Sequence, residues 1–108
     1  MGREGYLGEF EQMLLLAALR LGDDAYGAAM SQELEERVGR RVSRGAVYVT
    51  LDRLEAKGLL RSSMSSPRPE RGGRRRRVVT VTEAGVEALQ ESRRALQTLW
   101  EGVEALEG

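Results

Sequence analysis

The side chains that could do chemistry in this chain are carboxylates, hydroxyls and, above all, guanidinium groups: sixteen of its seventeen cations are Arg, and it has neither Cys nor His. That absence removes thiol nucleophiles, imidazole bases, disulfides and zinc-finger ligand sets. No carboxylate spacing gathers the secluded acid pair that a hydrolase would need instead. We therefore expect no enzyme activity, no metal site and no cofactor. Arginine offers other chemistry. Its planar fork of N–H donors fits phosphate oxygens and the guanine edge in two-point contacts, whereas Lys acts as a point charge. Genomic base composition also enriches Arg, so where the cations lie says more than how many there are.

The formal net charge is zero, 17 Lys+Arg against 17 Asp+Glu, but the zero is unevenly built. Residues 1–36 carry two basic and eight acidic side chains, net −6; residues 37–77 carry thirteen basic and three acidic, net +10; residues 78–108 carry two basic and six acidic, net −4. A concentrated basic middle third points to a polyanionic partner.

The elements that must position those cations read from the apolar spacing. Residues 9–21 hold Phe10, Met13, Leu14, Leu15, Leu16, Ala17, Ala18, Leu19 and Leu21 with no Gly or Pro. That is a helix apolar on nearly every side, which must bury more than one face. Its unbroken apolar stretch, 13–19, is far below the roughly 20 residues of a membrane span. Glu9 and Glu11 precede it where a signal peptide is basic, so a soluble, cytoplasmic chain with no membrane partner is expected. Gly22 ends this helix, and a second is predicted over about 25–38, with Tyr26, Met30, Leu34 and Val38 as its buried stripe. Gly39 stops it, and Ser43, a strong N-cap, opens a third helix with a narrow stripe of Val47, Leu51 and Leu54. The outer face of that helix shows Arg44, Gly45, Tyr48, Val49, Asp52 and Arg53, and Gly58 closes it. Two helices joined by a short Gly-containing turn, the second basic outside, are the outline of a helix-turn-helix.

Residues 59–64 then read as a short strand, 65–73 as a loop holding Pro67, Pro69, Gly72 and Gly73, and 74–82 as an antiparallel return strand with Val79 and Val81 on one face. Strands flanking a basic, Gly-rich tip behind a helix-turn-helix make a wing. The last segment opens at Thr82 and tolerates Gly85 near its start; Leu89, Leu96, Leu99, Val103 and Leu106 then follow a seven-residue repeat, broken at Ser92. A coil that short needs a partner's equivalent helix and the over-apolar first helix to bury its seam. The expected fold class is mainly α with a small β-hairpin (α+β). It forms one compact unit, a winged helix-turn-helix over residues 1–82 followed by a C-terminal dimerisation helix over 83–108.

This order of elements resembles the PadR family of bacterial winged-helix transcriptional regulators. The matching stretches are Leu7-Gly8-Glu9, Ala25-Tyr26-Gly27, Gly45-Ala46-Val47-Tyr48 with Leu51, Arg53-Leu54-Glu55 and Gly58-Leu59, and Arg74-Arg75-Arg76-Arg77 leading into Val81-Thr82-Glu83-Ala84-Gly85. The resemblance spans about residues 7–90. It implies a homodimer, usually a repressor, on a near-palindromic operator, in the shorter subfamily with a single C-terminal helix. Some members of that family respond to planar aromatic compounds near the dimer interface.

Within this frame Arg40, Arg41, Ser43 and Arg44 lie at the start of the recognition helix, where side chains and free N–H groups act together on phosphate. Tyr48 and Arg53 are expected on the backbone, and Arg44, Val49 and Thr50 on base edges, with Val49 suited to a thymine methyl. Arg71, Gly72, Gly73, Arg74 and Arg75 are expected at the minor groove. Each has a plainer reading: the Arg run as a solvated stretch protecting a sheet edge, Tyr48 as surface cover, Arg53 as a partner for acids of the second helix. Dimerisation is assigned to Phe10, Met13, Leu14, Leu89, Leu96, Leu99, Val103 and Leu106. Trp100, beside the seam, would sandwich a flat aromatic effector across the dimer axis or simply pack against the partner's Phe10 or Met13. The expected partner is double-stranded DNA. The alternatives are a winged-helix module that binds an acidic protein and a non-specific nucleic-acid binder.

Overall fold

Helix boundaries in this chain follow its capping chemistry. In the computed structural model, which describes residues 7–65 and 75–103, the elements are α1 (Glu9–Leu21), a short 3-10 turn (Gly22–Asp24), α2 (Gly27–Val38), α3 (Arg44–Ala56), β1 (Leu60–Met64), β2 (Arg77–Val81) and α4 (Glu83–Trp100). The Glu11 carboxylate reaches back to accept the Gly8 N–H at 2.9 Å and so starts α1. Ser43 Oγ accepts the Ala46 N–H at 3.0 Å to start α3, and Thr82 Oγ1 accepts the Gly85 N–H at 3.1 Å to start α4. At the end of α3 the Gly58 N–H bonds the Glu55 carbonyl and the Leu59 N–H the Leu54 carbonyl, with Gly58 at φ +78°. That left-handed glycine turns the chain directly from helix into strand.

The core is a single cluster to which every helix and both strands contribute. Leu14, Leu15, Ala17 and Ala18 come from α1, Met30 and Leu34 from α2, Val47, Leu51 and Leu54 from α3, Leu60 and Val79 from the strands, and Ala88 and Leu89 from α4. The strands pair antiparallel, Leu60 opposite Val81 and Met64 opposite Arg77. Along the other edge of β2 the Ala25-Tyr26 segment docks: the Val79 N–H donates to the Ala25 carbonyl at 2.9 Å, and Tyr26 bridges to Val78. This is why α2 begins at Gly27 and not near Ala25 as the stripe predicted, since Tyr26 is extended and belongs to the sheet edge.

Three further expectations are corrected. Val38 is exposed, because the chain leaves the core at the end of α2 through left-handed Gly39. Gly85 is required, not merely tolerated. The start of α4 is clamped to the end of α3 by Thr82 N–H to Leu59 O and Thr82 Oγ1 to Gly58 O, so a Cβ on Gly85 would sit 2.2 Å from the Leu59 carbonyl oxygen. Finally, α4 stops at Trp100, because Gly102 at φ +83° breaks it. Val103 therefore lies in a turn, and Leu106 lies outside the described residues. Among the described residues no helix is long and apolar enough to cross a membrane.

Candidate nucleic-acid interface

The outer face of α3 is set by the stripe that buries its inner one. Val47, Thr50, Leu51 and Leu54, at i, i+3, i+4 and i+7, are all buried. Thr50, at 5% exposure, is therefore not on the surface where a base edge could meet it, and its assignment as a base reader is corrected. Arg44, Val49 and Arg53 remain exposed, Val49 at 57%. Ser43 is occupied by its capping bond. Tyr48 lies against the first turn of α2: a Cβ on Gly27 would stand 2.8 Å from its hydroxyl oxygen, so the glycine is what lets the ring settle there.

The cations expected on phosphate divide by what holds them. The Arg40 guanidinium bonds Glu9 Oε1 at 3.0 Å and lies 5.4 Å from the centre of the Phe10 ring, touching Met13 Sδ at 3.7 Å. Arg41 pairs with Glu35 at 3.2 Å, both well exposed. Such a surface pair is worth little and exchanges readily. Arg44 and Arg53 have no ion pair among the described residues. Of the acids of α2, Glu33 is held by Arg20 and Arg37 and Glu36 accepts from the Gln32 amide. The Arg37 hydrogen bond foremost keeps the Glu33 carboxyl below its ordinary value. Below the far end of α3, Lys57 Nζ bonds the Glu11 carboxylate at 2.9 Å. Burial there disfavours the ionised acid, yet the Gly8 N–H, Lys57 and the nearby Arg53 outweigh it and hold Glu11 below the usual carboxylate range.

In the hairpin the Arg run does not act as one unit. Arg71, Gly72, Gly73 and Arg74 lie outside the described residues, and Arg75 is exposed at their edge. Arg76 stacks on the Tyr26 ring, 4.1 Å from its centre. Arg77, on the opposite face of β2, turns toward α3: Nη1 meets Asp52 at 2.9 Å, Nη2 meets Glu55 at 2.9 Å, and Nε donates to Ser62 Oγ at 2.9 Å. Hydrogen bonds from Ser62 and Arg77 hold the Glu55 carboxyl below its ordinary value. Residue spacing gave no warning of this contact, which joins positions 22 and 25 apart in the chain.

The apolar positions expected at a dimer contact divide as well. Leu14 is fully buried in the core and forms no surface for a second copy, whereas Leu89, also largely buried, reaches the floor of a groove between α1 and α4. Phe10 and Met13 are half-buried against the core beneath Arg40. Leu96, Leu99 and Trp100 are exposed, Leu99 at 73%. Sequence reading missed Leu16 and Leu19, exposed on α1 because they fall outside the arc set by Leu14, Leu15 and Ala18. Leu16, Leu19, Leu96 and Trp100 line a groove of about 600 Å³ between α1 and α4, with Arg93 and Gln97 at its side. Among the described residues no group of acids could hold a metal ion.

Residues 15–91 match the PadR-like family of transcriptional regulators. The chain is 49% identical over 77 residues to the transcriptional regulator Rv3488 of Mycobacterium tuberculosis, which is 71% of this chain and 67% of that protein. The crystal structure of a PadR family regulator from Eggerthella lenta superposes with a TM-score of 0.69 at 27% identity, covering 91% of this chain and 85% of that one. A PadR family regulator from Clostridium difficile, at 23% identity, shares the fold with a TM-score of 0.70 over 92% of this chain and 99% of its own. A match over this much of the chain, on four helices and a two-stranded hairpin of the winged-helix kind, places it: the chain belongs to the PadR-like family of transcriptional regulators.

Proposed function

We propose that this regulator is a repressor that binds a near-palindromic operator as a homodimer, with α3 in the major groove and the β1–β2 hairpin against the minor groove. One observation carries the reading: the outer face of α3 leaves Arg44, Val49 and Arg53 without an ion pair among the described residues, while both acids of that helix, Asp52 and Glu55, are paired with Arg77. Arg44 and Val49 read bases, and Arg41, Tyr48 and Arg53 take phosphates. Arg75 and the adjoining Arg71, Gly72, Gly73 and Arg74 follow the minor groove. The second copy covers Leu16 and Leu19 together with Leu96, Leu99 and Trp100, an apolar surface too continuous to be left to water. A flat aromatic effector fits the groove beside Trp100 and relieves repression by favouring a dimer arrangement unsuited to the operator.

The test is selection of bound fragments from the source genome, followed by anisotropy titration of the recovered duplex at several salt concentrations. The reading expects an inverted repeat, and an affinity that falls with salt at a log–log slope of roughly −0.9 per neutralised phosphate. A selection that enriches nothing would contradict it. Competition by random duplex as strong as by the recovered one would make the chain a non-specific binder. Quenching of the Trp100 fluorescence by planar aromatics tests the effector, and no quenching across a panel of them would remove it.

A further inference from the structure

The hairpin and the recognition helix are joined by a connection that DNA binding does not by itself require. Arg77 is the first residue of β2, opposite Met64, so it stands at the root of the hairpin tip. It shares a strand face with Val79, which is buried, and that alternation aims it at α3. All three of its guanidinium nitrogens have separate partners: Asp52 and Glu55 on α3 and Ser62 on β1. Ser62 Oγ in turn donates to Glu55 Oε1 at 2.7 Å and closes the ring of contacts. The Arg77 side chain is 24% exposed, well covered for a hairpin cation. Single exposed ion pairs are weak, but a planar guanidinium held on three sides by two elements restricts the angle between them.

Building on the repressor reading above, we propose that Arg77 is a positioning residue: a strut that fixes the hairpin to the recognition helix, so that helix and wing meet the operator as one preset unit. Asp52 and Glu55 then have a role on a DNA-facing helix as the anchors of the strut, although their charge opposes phosphate. The strut adds no phosphate contact of its own. It contributes specificity, because only a duplex whose two grooves match the fixed angle engages helix and wing together.

The sign of one effect separates this from simple electrostatics. Asp52→Asn combined with Glu55→Gln removes two negative charges from the face. Electrostatics alone predicts tighter binding to every duplex. A strut predicts tighter binding to a random-sequence duplex but roughly tenfold weaker binding to the duplex selected from genomic fragments, since the wing loses its anchor. Arg77→Met should weaken the selected duplex similarly while leaving the salt slope at the wild-type value. Both variants should melt close to wild type. Should Arg77→Met fail to fold, the Asn/Gln pair, which is nearly isosteric and exposed, carries the test alone. Selected-duplex affinity that rises in step with random duplex, or stays unchanged, overturns the strut. So does a slope reduced by about 0.9 per protomer in Arg77→Met, which would make Arg77 a phosphate ligand. A wild-type protein that does not prefer the selected duplex overturns the functional reading itself, and the strut with it.

Discussion

Gly85 shows how much of this fold turns on single atoms. Its missing Cβ lets α4 begin against the Leu59 carbonyl, with Val81 Cγ1 only 2.7 Å from where a methyl would be. The Leu59 oxygen is backbone and already bonded to the Thr82 N–H, so it has no room to yield. Gly85→Ala should therefore destabilise by about 2–4 kcal/mol, read as a lowered urea midpoint at unchanged slope. An unchanged midpoint would mean that the clamp is looser than drawn. Residues whose partners lie nearby in sequence were legible in advance: Ser43 and Thr82 cap because their hydroxyls reach backbone N–H groups within the next turn. The expectation for Thr50 fails because its spacing from Val47 and Leu54 puts it on the buried stripe. Arg77 was read only as one of four cations in a row, since its partners come from elements that meet only after folding.

Between elements, the buried carboxylate of Glu11 ties the start of α1 to the end of α3. Its folded pKa is depressed, so its contribution is fully present above the ordinary glutamate range, near 4.5, and is lost as pH falls through the lower folded value. The groups that face it are the Gly8 N–H, Lys57 and Arg53. Urea midpoints should therefore fall on acidification below about pH 4.5 in the wild type and fall less in Glu11→Gln. Identical acid profiles for the two proteins would show that the tie contributes nothing. Element types and order were legible, because the apolar spacing changes from helical to alternating where the strands begin. The boundaries were less so. Tyr26 continues the four-residue spacing of α2, and a sequence does not reveal that the backbone there pairs with β2.

For the whole molecule, the exposed faces of α1 and α4 call for a second copy. The last two turns of α4 present Leu96, Leu99 and Trp100 to solvent. Light scattering should give twice the 12.0 kDa chain mass, and Leu16→Glu with Leu99→Glu should return the chain mass while leaving the helical content intact. Such a monomer binds one half-site and loses the gain from linking two, so its operator affinity should fall by at least about a hundredfold. A wild-type mass at the monomer value would refute the dimer. At this scale the uneven charge along the chain was legible as well, but not where folding brings the thirds together: Glu9 meets Arg40, Glu35 meets Arg41 and Glu11 meets Lys57.

The central claim is that the open face of α3 reads bases. It is tested most directly by repeating the genomic selection with Arg44→Ala beside the wild type. The recovered inverted repeat should lose preference at one base pair in each half-site and keep the others, with a cost of about 1–3 kcal/mol per half-site. An unaltered consensus, with binding weakened equally on every sequence, would contradict it.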